Sequence, residues 1–154
     1  MRVIFTALLL VVMAFLSPAA AQEKFETEAL SIESGSGTLA FTVEMARTKS
    51  QHAQGLMYRR SLAADAGMLF VYGKTGRHAM WMKNTFIPLD MVFIDASGSI
   101  VTIYERAVPQ STNSIPSRRR VKATLELRGG TVSRLGIKVG DRVRTGDMVG
   151  EIPG

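Results

Sequence analysis

From residue 29 onward the chain repeatedly places an apolar residue at every second position, the period of a half-buried β-strand. Ala29 to Glu33 and Thr38 to Glu44 read as two strands around the turn Ser34-Gly35-Ser36-Gly37. In the second, Leu39, Phe41, Val43 and Met45 alternate with Ala40, Thr42 and Glu44. Gly67 to Tyr72 has no polar face at all, which predicts a central strand covered on both sides. Lys74-Thr75-Gly76 follows as a predicted turn.

The pattern then resumes. His78, Met80 and Met82 alternate with Arg77, Ala79, Trp81 and Lys83, and Pro88 interrupts the run. In Leu89 to Asp95, Met91 and Phe93 share one face while Asp90, Val92 and Ile94 share the other. These two runs are expected to form an antiparallel hairpin. The best register sets Met82 opposite Met91, Met80 opposite Phe93, Lys83 opposite Asp90 and His78 opposite Asp95. Ile100 to Glu105 is a further strand rich in β-branched residues, and Ala107 to Pro116 reads as loop. Val121, Ala123, Leu125 and Leu127 alternate with Lys122, Thr124, Glu126 and Arg128, an amphipathic strand ended by Gly129-Gly130.

Two short helices interrupt the β pattern. Thr48-Lys49-Ser50-Gln51 fits a capping box, with Gln51 placed to reach back to the Thr48 amide. That helix is expected to run through Gly55 to Arg59 and Arg60, with Ala53, Leu56 and Met57 as its apolar stripe. Ser61 to Gly67 is expected to form a helical turn, and Thr131 to Leu135 a second helix capped by Thr131. The fold class is therefore mainly β with α+β character: a single compact barrel-like or two-sheet domain with two short helices.

The first 21 residues have a different texture. Arg2 precedes an apolar run from Val3 to Leu16, and Ala19-Ala20-Ala21 fits the small-residue rule for signal cleavage before Gln22. The run is short for a bilayer span of about 20 residues. The expected organisation is a signal peptide over residues 1–21, a tether and first strand over 22–36, and one β-rich domain over 37–154. The expected location is periplasmic or secreted, with membrane attachment only if the signal segment stays uncleaved. The chain has no cysteine, so lipoprotein processing, disulfides and thiol chemistry are excluded.

Losing Arg2 with the leader lowers the formal charge by one from +6. The densest basic run, Arg118-Arg119-Arg120-Val121-Lys122, would favour nucleic acid in a cytosolic protein. In an exported one no nucleic acid is expected, and an anionic envelope surface is the candidate partner.

The candidate ligand-binding set is Lys83, Asn84, Thr85 and Asp90, with Arg59 and Glu126 joining from elsewhere in the fold. Lys83 offers a point charge and Asn84 both donates and accepts. The alternative for these residues is a turn, with Asn84 and Thr85 bonded to backbone and Lys83 paired with Asp90. No G-x-S-x-G turn and no Cys/His zinc set is present. Asp90, Asp95 and Glu126 are candidate carboxylates for glycan cleavage. His78, Met80 and Met82 carry donor types that suit Cu(I), although Met at alternate strand positions is also ordinary core filler.

Gln54-Gly55-Leu56-Met57-Tyr58-Arg59, Gly67-Met68-Leu69-Phe70, Trp81-Met82-Lys83-Asn84-Thr85, Ile87-Pro88-Leu89-Asp90-Met91 and Phe93-Ile94-Asp95 together resemble the domain-of-unknown-function family one-nine-two. Ala107-Val108-Pro109, Leu125-Glu126 and Gly136-Ile137-Lys138-Val139-Gly140-Asp141 extend the resemblance from about Phe41 to Val143. The resemblance implies a small exported domain and transfers no activity. The functional expectation is a non-catalytic envelope module that binds a small or polymeric polar ligand or a protein partner, without a cofactor. A glycan-cleaving enzyme is second and a Cu(I)-handling module third.

Overall fold

The computed structural model describes residues 22–146; the expected signal peptide and the last eight residues lie outside that range. Nine strands and two helices follow the chain in the order β1 (Glu26–Ser34), β2 (Gly37–Ala46), α1 (Lys49–Gln54), β3 (Ala66–Gly76), β4 (Ala79–Met80), β5 (Leu89–Ile94), β6 (Ile100–Ala107), β7 (Ile115–Pro116), β8 (Val121–Arg128), α2 (Thr131–Leu135) and β9 (Arg142–Thr145). Seven strands make one mixed sheet in the order β6-β5-β8-β3-β2-β1-β9, and β4 pairs with β7 in a separate two-stranded piece. Only β2 and β3 run parallel, so their connection has to cross over, and α1 lies in that crossover.

The large sheet curls until its two ends touch. Ser99 bridges Arg142, and Val143 N–H donates to Gly98 O at 2.8 Å. Ile100 N–H likewise donates to Asp141 O at 2.9 Å. Pairing at this single point leaves the barrel incompletely closed. The inner face holds Ile32, Val43, Leu69, Val92, Leu125 and Val143 in one continuous core. The outer face of β3, β8 and β5 carries a second core with Met68, Phe70, Met82, Met91, Phe93 and Val121.

Strand period therefore identifies the faces correctly. Met91 and Phe93 go to the outer core, Val92 and Ile94 to the inner one. The polar face of β8 goes where polar residues are not expected: Thr124 and Glu126 are buried because β8 is central and its outer side is covered.

The expected hairpin between residues 77–83 and β5 does not form. Both sides of β5 are taken, by β6 and β8. The backbone of the 77–85 segment bonds instead to residues 110–117: Met82 N–H to Ser111 O at 2.9 Å, and Gln110 N–H to Thr85 O at 2.9 Å. Only Ala79–Met80 is extended enough to pair, with Ile115–Pro116. The alternation of Met80 and Met82 reflects a covering segment that presses apolar residues onto the sheet, not a pleated strand. Neither Lys83–Asp90 nor His78–Asp95 forms.

Other local expectations shift for local reasons. Lys74-Thr75-Gly76 continues β3, which rejoins β8 through Gly76 and Val121 after an irregularity. The Thr48 capping box is present, with Gln51 N–H donating to Thr48 Oγ1 at 3.2 Å and Thr48 N–H to Gln51 Oε1 at 3.1 Å. The helix stops at Gln54, however, because Gly55 takes φ 47° and ψ −136° as its C-cap. A Cβ on Gly55 would meet the Phe70 ring at 3.0 Å, so the glycine also lets the crossover lie against β3. Arg59 and Arg60 fall beyond the helix, Ala53 is exposed, and residues 61–65 are irregular with a turn at Ala64 and Asp65.

The expected tether is pinned too. Glu26 to Glu28 already belong to β1, Glu23 N–H donates to Gln54 Oε1 at 2.8 Å, and Arg47 pairs with Glu28. Finally, the N-cap position of α2 is Gly130 rather than Thr131, and the Gly130 and Val132 amides donate to Asp90.

Candidate functional site

A pocket of about 190 Å³ opens on the outer face of the sheet. Its floor is β8 at Glu126. One wall is β3 with Phe70 and Tyr72, a second is the α1 crossover from His52 to Met57, and the third is the covering segment with Met80, Trp81, Lys83 and Thr85. Four stretches of sequence meet there because two of them, the crossover and the covering segment, are laid over the two strands.

Glu126 sits between Met68 of β3 and Met91 of β5, the strand partners on either side of it. It is 4% exposed. Among the described residues no group donates a hydrogen bond to its carboxyl and no cation pairs with it. Burial without compensation disfavours the ionised form, and the carboxyl is pushed up from 4.5 to about 8. It is therefore largely protonated at neutral pH.

The aromatic wall is internally bonded. Tyr72 O–H and Thr124 Oγ1 lie 2.8 Å apart, and the Tyr72 hydroxyl lies 3.4 Å from Met80 Sδ. Burial raises Tyr72 to about 12, with the Thr124 bond acting against the rise and the nearby Glu126 adding to it. His78 stacks on the Tyr72 ring with centroids 3.6 Å apart and planes 8° from parallel. His52 approaches Tyr72 edge-on at 5.6 Å and holds Ala46 O at 2.9 Å through Nε2.

The six sequence candidates are thus divided. Lys83, Thr85 and Glu126 line the pocket. Lys83 is exposed and its Nζ lies 5.2 Å from the Trp81 ring centroid, a cation–π distance. Thr85 is buried and turns its hydroxyl back to Lys83 O at 3.2 Å.

Asn84, at φ 53°, is the left-handed residue of the turn and donates to Tyr58 Oη at 3.0 Å. Arg59 is held by both oxygens of Glu44 at 2.6 Å, which fastens the crossover to β2. Asp90 is fully buried, away from the pocket lining. Its oxygens accept from Arg106 N–H at 2.8 Å, Gly130 N–H at 3.0 Å and Val132 N–H at 2.8 Å.

Tyr72, Phe70 and His52 were not expected at a site. Each lies in a stretch whose sequence signal is strand core or helix, and only the crossover brings them to Glu126. Of His78, Met80 and Met82, the last is wholly buried in the outer core, while Met80 and His78 both lie against Tyr72. Among the described residues no group of three or more His, Asp or Glu is placed to hold a metal. The basic run is partly tied to backbone, with Arg120 donating to Thr75 O at 2.7 Å and Lys122 to Gly73 O at 3.3 Å.

A curled, mainly antiparallel sheet with a covered outer face and a pocket over one central strand defines a small β domain of recognisable type. The chain belongs to the family DUF192, described as uncharacterized ACR, which matches residues 31–145. No curated protein matches it. Among solved structures it is similar to a protein of Sinorhizobium meliloti 1021 described as a candidate transcription regulator. The identity is 49%, covering 81% of this chain and 98% of that one, with a TM-score of 0.78. It is also similar to a protein of unknown function from Novosphingobium aromaticivorans DSM 12444. There the identity is 34%, covering 83% of this chain and 89% of that one, with a TM-score of 0.77.

Proposed function

We propose that this domain is a non-catalytic binding module of the cell envelope whose ligand is a small polar molecule held in the Glu126 pocket. The observation that carries this reading is the Glu126 carboxyl itself. A buried carboxyl normally has a donor, because leaving it without one costs free energy. Here the missing partner faces an open pocket, and a ligand donor would supply it. The apolar and aromatic walls fit the usual pattern of small-molecule sites, a mostly apolar cleft with few polar groups.

The rival chemistries draw less support from the same residues. Glycan cleavage uses two carboxyl groups flanking one bond. Asp90 is saturated by backbone donors, and Asp95 caps its own turn by accepting from Ser97 N–H at 2.9 Å and Ser99 N–H at 3.0 Å. Glu126 is the one carboxyl in the pocket lining. A copper site needs converging ligands with an entry path, and Met82 is wholly buried in the outer core while His78 and Met80 lie against Tyr72.

The envelope location rests on Arg2, the apolar run and Ala19-Ala20-Ala21. Intact-mass analysis of the exported protein is expected to give an N-terminus at Gln22. Native mass spectrometry of protein from its own envelope, together with NMR-detected screening of a chemically broad fragment set, tests the binding reading. Ligands are expected to perturb Tyr72, Trp81 and Glu126. If no compound of any class perturbs these residues, the reading fails.

A further inference from the structure

The pocket is electrically ordered along its depth. At the floor lies the Glu126 carboxyl, without a donor. At the mouth lies Lys83, which has no carboxylate partner among the described residues and rests beside the Trp81 ring. The other titratable groups lining the pocket are His52 from the crossover and Tyr72 from β3. Tyr72 stays neutral, and His52 is turned to the backbone, with Nε2 on Ala46 O.

What fits such a floor is a group that brings several hydrogen-bond donors and a positive charge, which is the description of a primary ammonium. Phe70 and Tyr72 line the pocket beside it, and the face of an aromatic ring attracts a cation. What fits the mouth is an anion, which the Lys83 ammonium attracts as a point charge. The volume of about 190 Å³ is below the ~300–1,000 Å³ of pockets for drug-sized ligands. The two charged ends therefore belong to one small molecule.

Building on the reading of this pocket as the ligand site, we propose that it binds a small zwitterion, ammonium inward on Glu126 and anionic group outward at Lys83. Free amino acids and aminoalkyl phosphates, including the headgroup of an amino-phospholipid, share this chemistry. A simple amine leaves Lys83 unmatched, and a simple anion leaves Glu126 unmatched. Binding ionises the carboxyl: its proton leaves to solvent, and the carboxylate forms an ion pair with the ligand ammonium. Affinity consequently rises with pH toward about 8.

Trp81, the only tryptophan of the chain, lines the pocket and reports occupancy by its fluorescence. The full-length protein is titrated with glycine, phosphoethanolamine, ethanolamine, acetate and inorganic phosphate, with calorimetry in two buffers to count released protons. At least one zwitterion is expected to bind tenfold or more tighter than ethanolamine and either anion, with proton release at pH 7. Glu126→Gln is expected to weaken it tenfold or more. Lys83→Gln is expected to remove the preference over ethanolamine, each variant being checked for an unchanged fold by circular dichroism.

Binding confined to vesicles containing phosphatidylethanolamine, and absent with phosphatidylglycerol, also supports the zwitterion and assigns it to a lipid. Equal binding of neutral or purely anionic compounds in the pocket, unaffected by Glu126→Gln, overturns the zwitterion and leaves the pocket as a ligand site. Silence from every compound, fragments included, overturns both.

Discussion

The Asp90 carboxylate on β5 accepts the backbone N–H of Val132 at 2.8 Å and so does for α2 what a cap residue normally does from within its own helix. The helix has five residues, too few to persist alone. Asp90 also takes the amides of Gly130 and Arg106, at 3.0 and 2.8 Å, so one side chain fixes α2 and the end of β6 together.

Asp90→Ala strands three donors, the Val132 amide in a buried place and those of Arg106 and Gly130 in part-buried ones. A stranded buried donor costs about 1–3 kcal/mol and a part-buried one less, so chemical denaturation is expected to lose roughly 2 kcal/mol or more. Asp90→Asn keeps one acceptor oxygen and should lose less. Fast amide exchange at Val132 in Asp90→Ala is the local signature that checks the assignment.

Glu126 gives a pH dependence of definite sign. Its carboxyl titrates near 4.5 when unfolded and at about 8 in the folded domain. Between those values the folded state binds more protons than the unfolded one, so stability falls as pH rises through the window. Above about pH 8 the full loss is present, on the order of a few kcal/mol. Glu126→Gln removes this contribution. Thermal melts from pH 4 to 9 should show the variant overtaking the natural protein toward the alkaline end.

Met82 is wholly buried in the outer core and anchors the covering segment. Met82→Ala is expected to cost roughly 2–5 kcal/mol, as other large-to-small core changes do. Met80→Leu, at a half-buried position, should cost less than about 1.5 kcal/mol. Titration with Cu(I) under reducing conditions should leave both melting curves unmoved.

Gly67 leaves no room for a side chain where β3 pairs with β8. A Cβ there would lie 2.7 Å from Glu126 O and 2.9 Å from Leu127 Cδ2. The first of these is backbone and cannot swing aside, so Gly67→Ala is expected to cost roughly 1–3 kcal/mol by overpacking. It should also displace Glu126 and lower ligand affinity. Comparing the two losses across Gly67→Ala and Glu126→Gln separates strain from lost chemistry.

Much of this architecture was legible in the sequence because side-chain period reports which residues share a face. Val92 with Ile94, Met91 with Phe93, and the Thr48–Gln51 capping box all follow from local spacing. Pairing partners are a separate matter. The run from Arg77 to Lys83 has strand-like alternation, yet its backbone partners lie far ahead in the chain, at Ser111 for Met82 and Ser117 for His78. Nothing local distinguishes that from a hairpin with β5. Glu126 and Asp90 look alike in the sequence, each an acid within an apolar strand. Which one is saturated and which one faces a pocket depends on α2 and the crossover, elements distant in the chain. Lys83 and Thr85, chosen as polar residues crowded next to the core, line the pocket, and Arg59 does not because Glu44 holds it elsewhere.

The contact between Gly98–Ile100 and Asp141–Val143 has a bearing on how this protein behaves in a crowd. A seven-stranded open sheet would offer two rows of unsatisfied amides, each a template onto which another chain can add. Here the outermost strands begin to satisfy one another, and the charged Arg142 and Arg144 flank the part of β9 that stays outside. That one juncture shortens the free border on both sides of the sheet, and so the length of edge onto which another copy could add a strand.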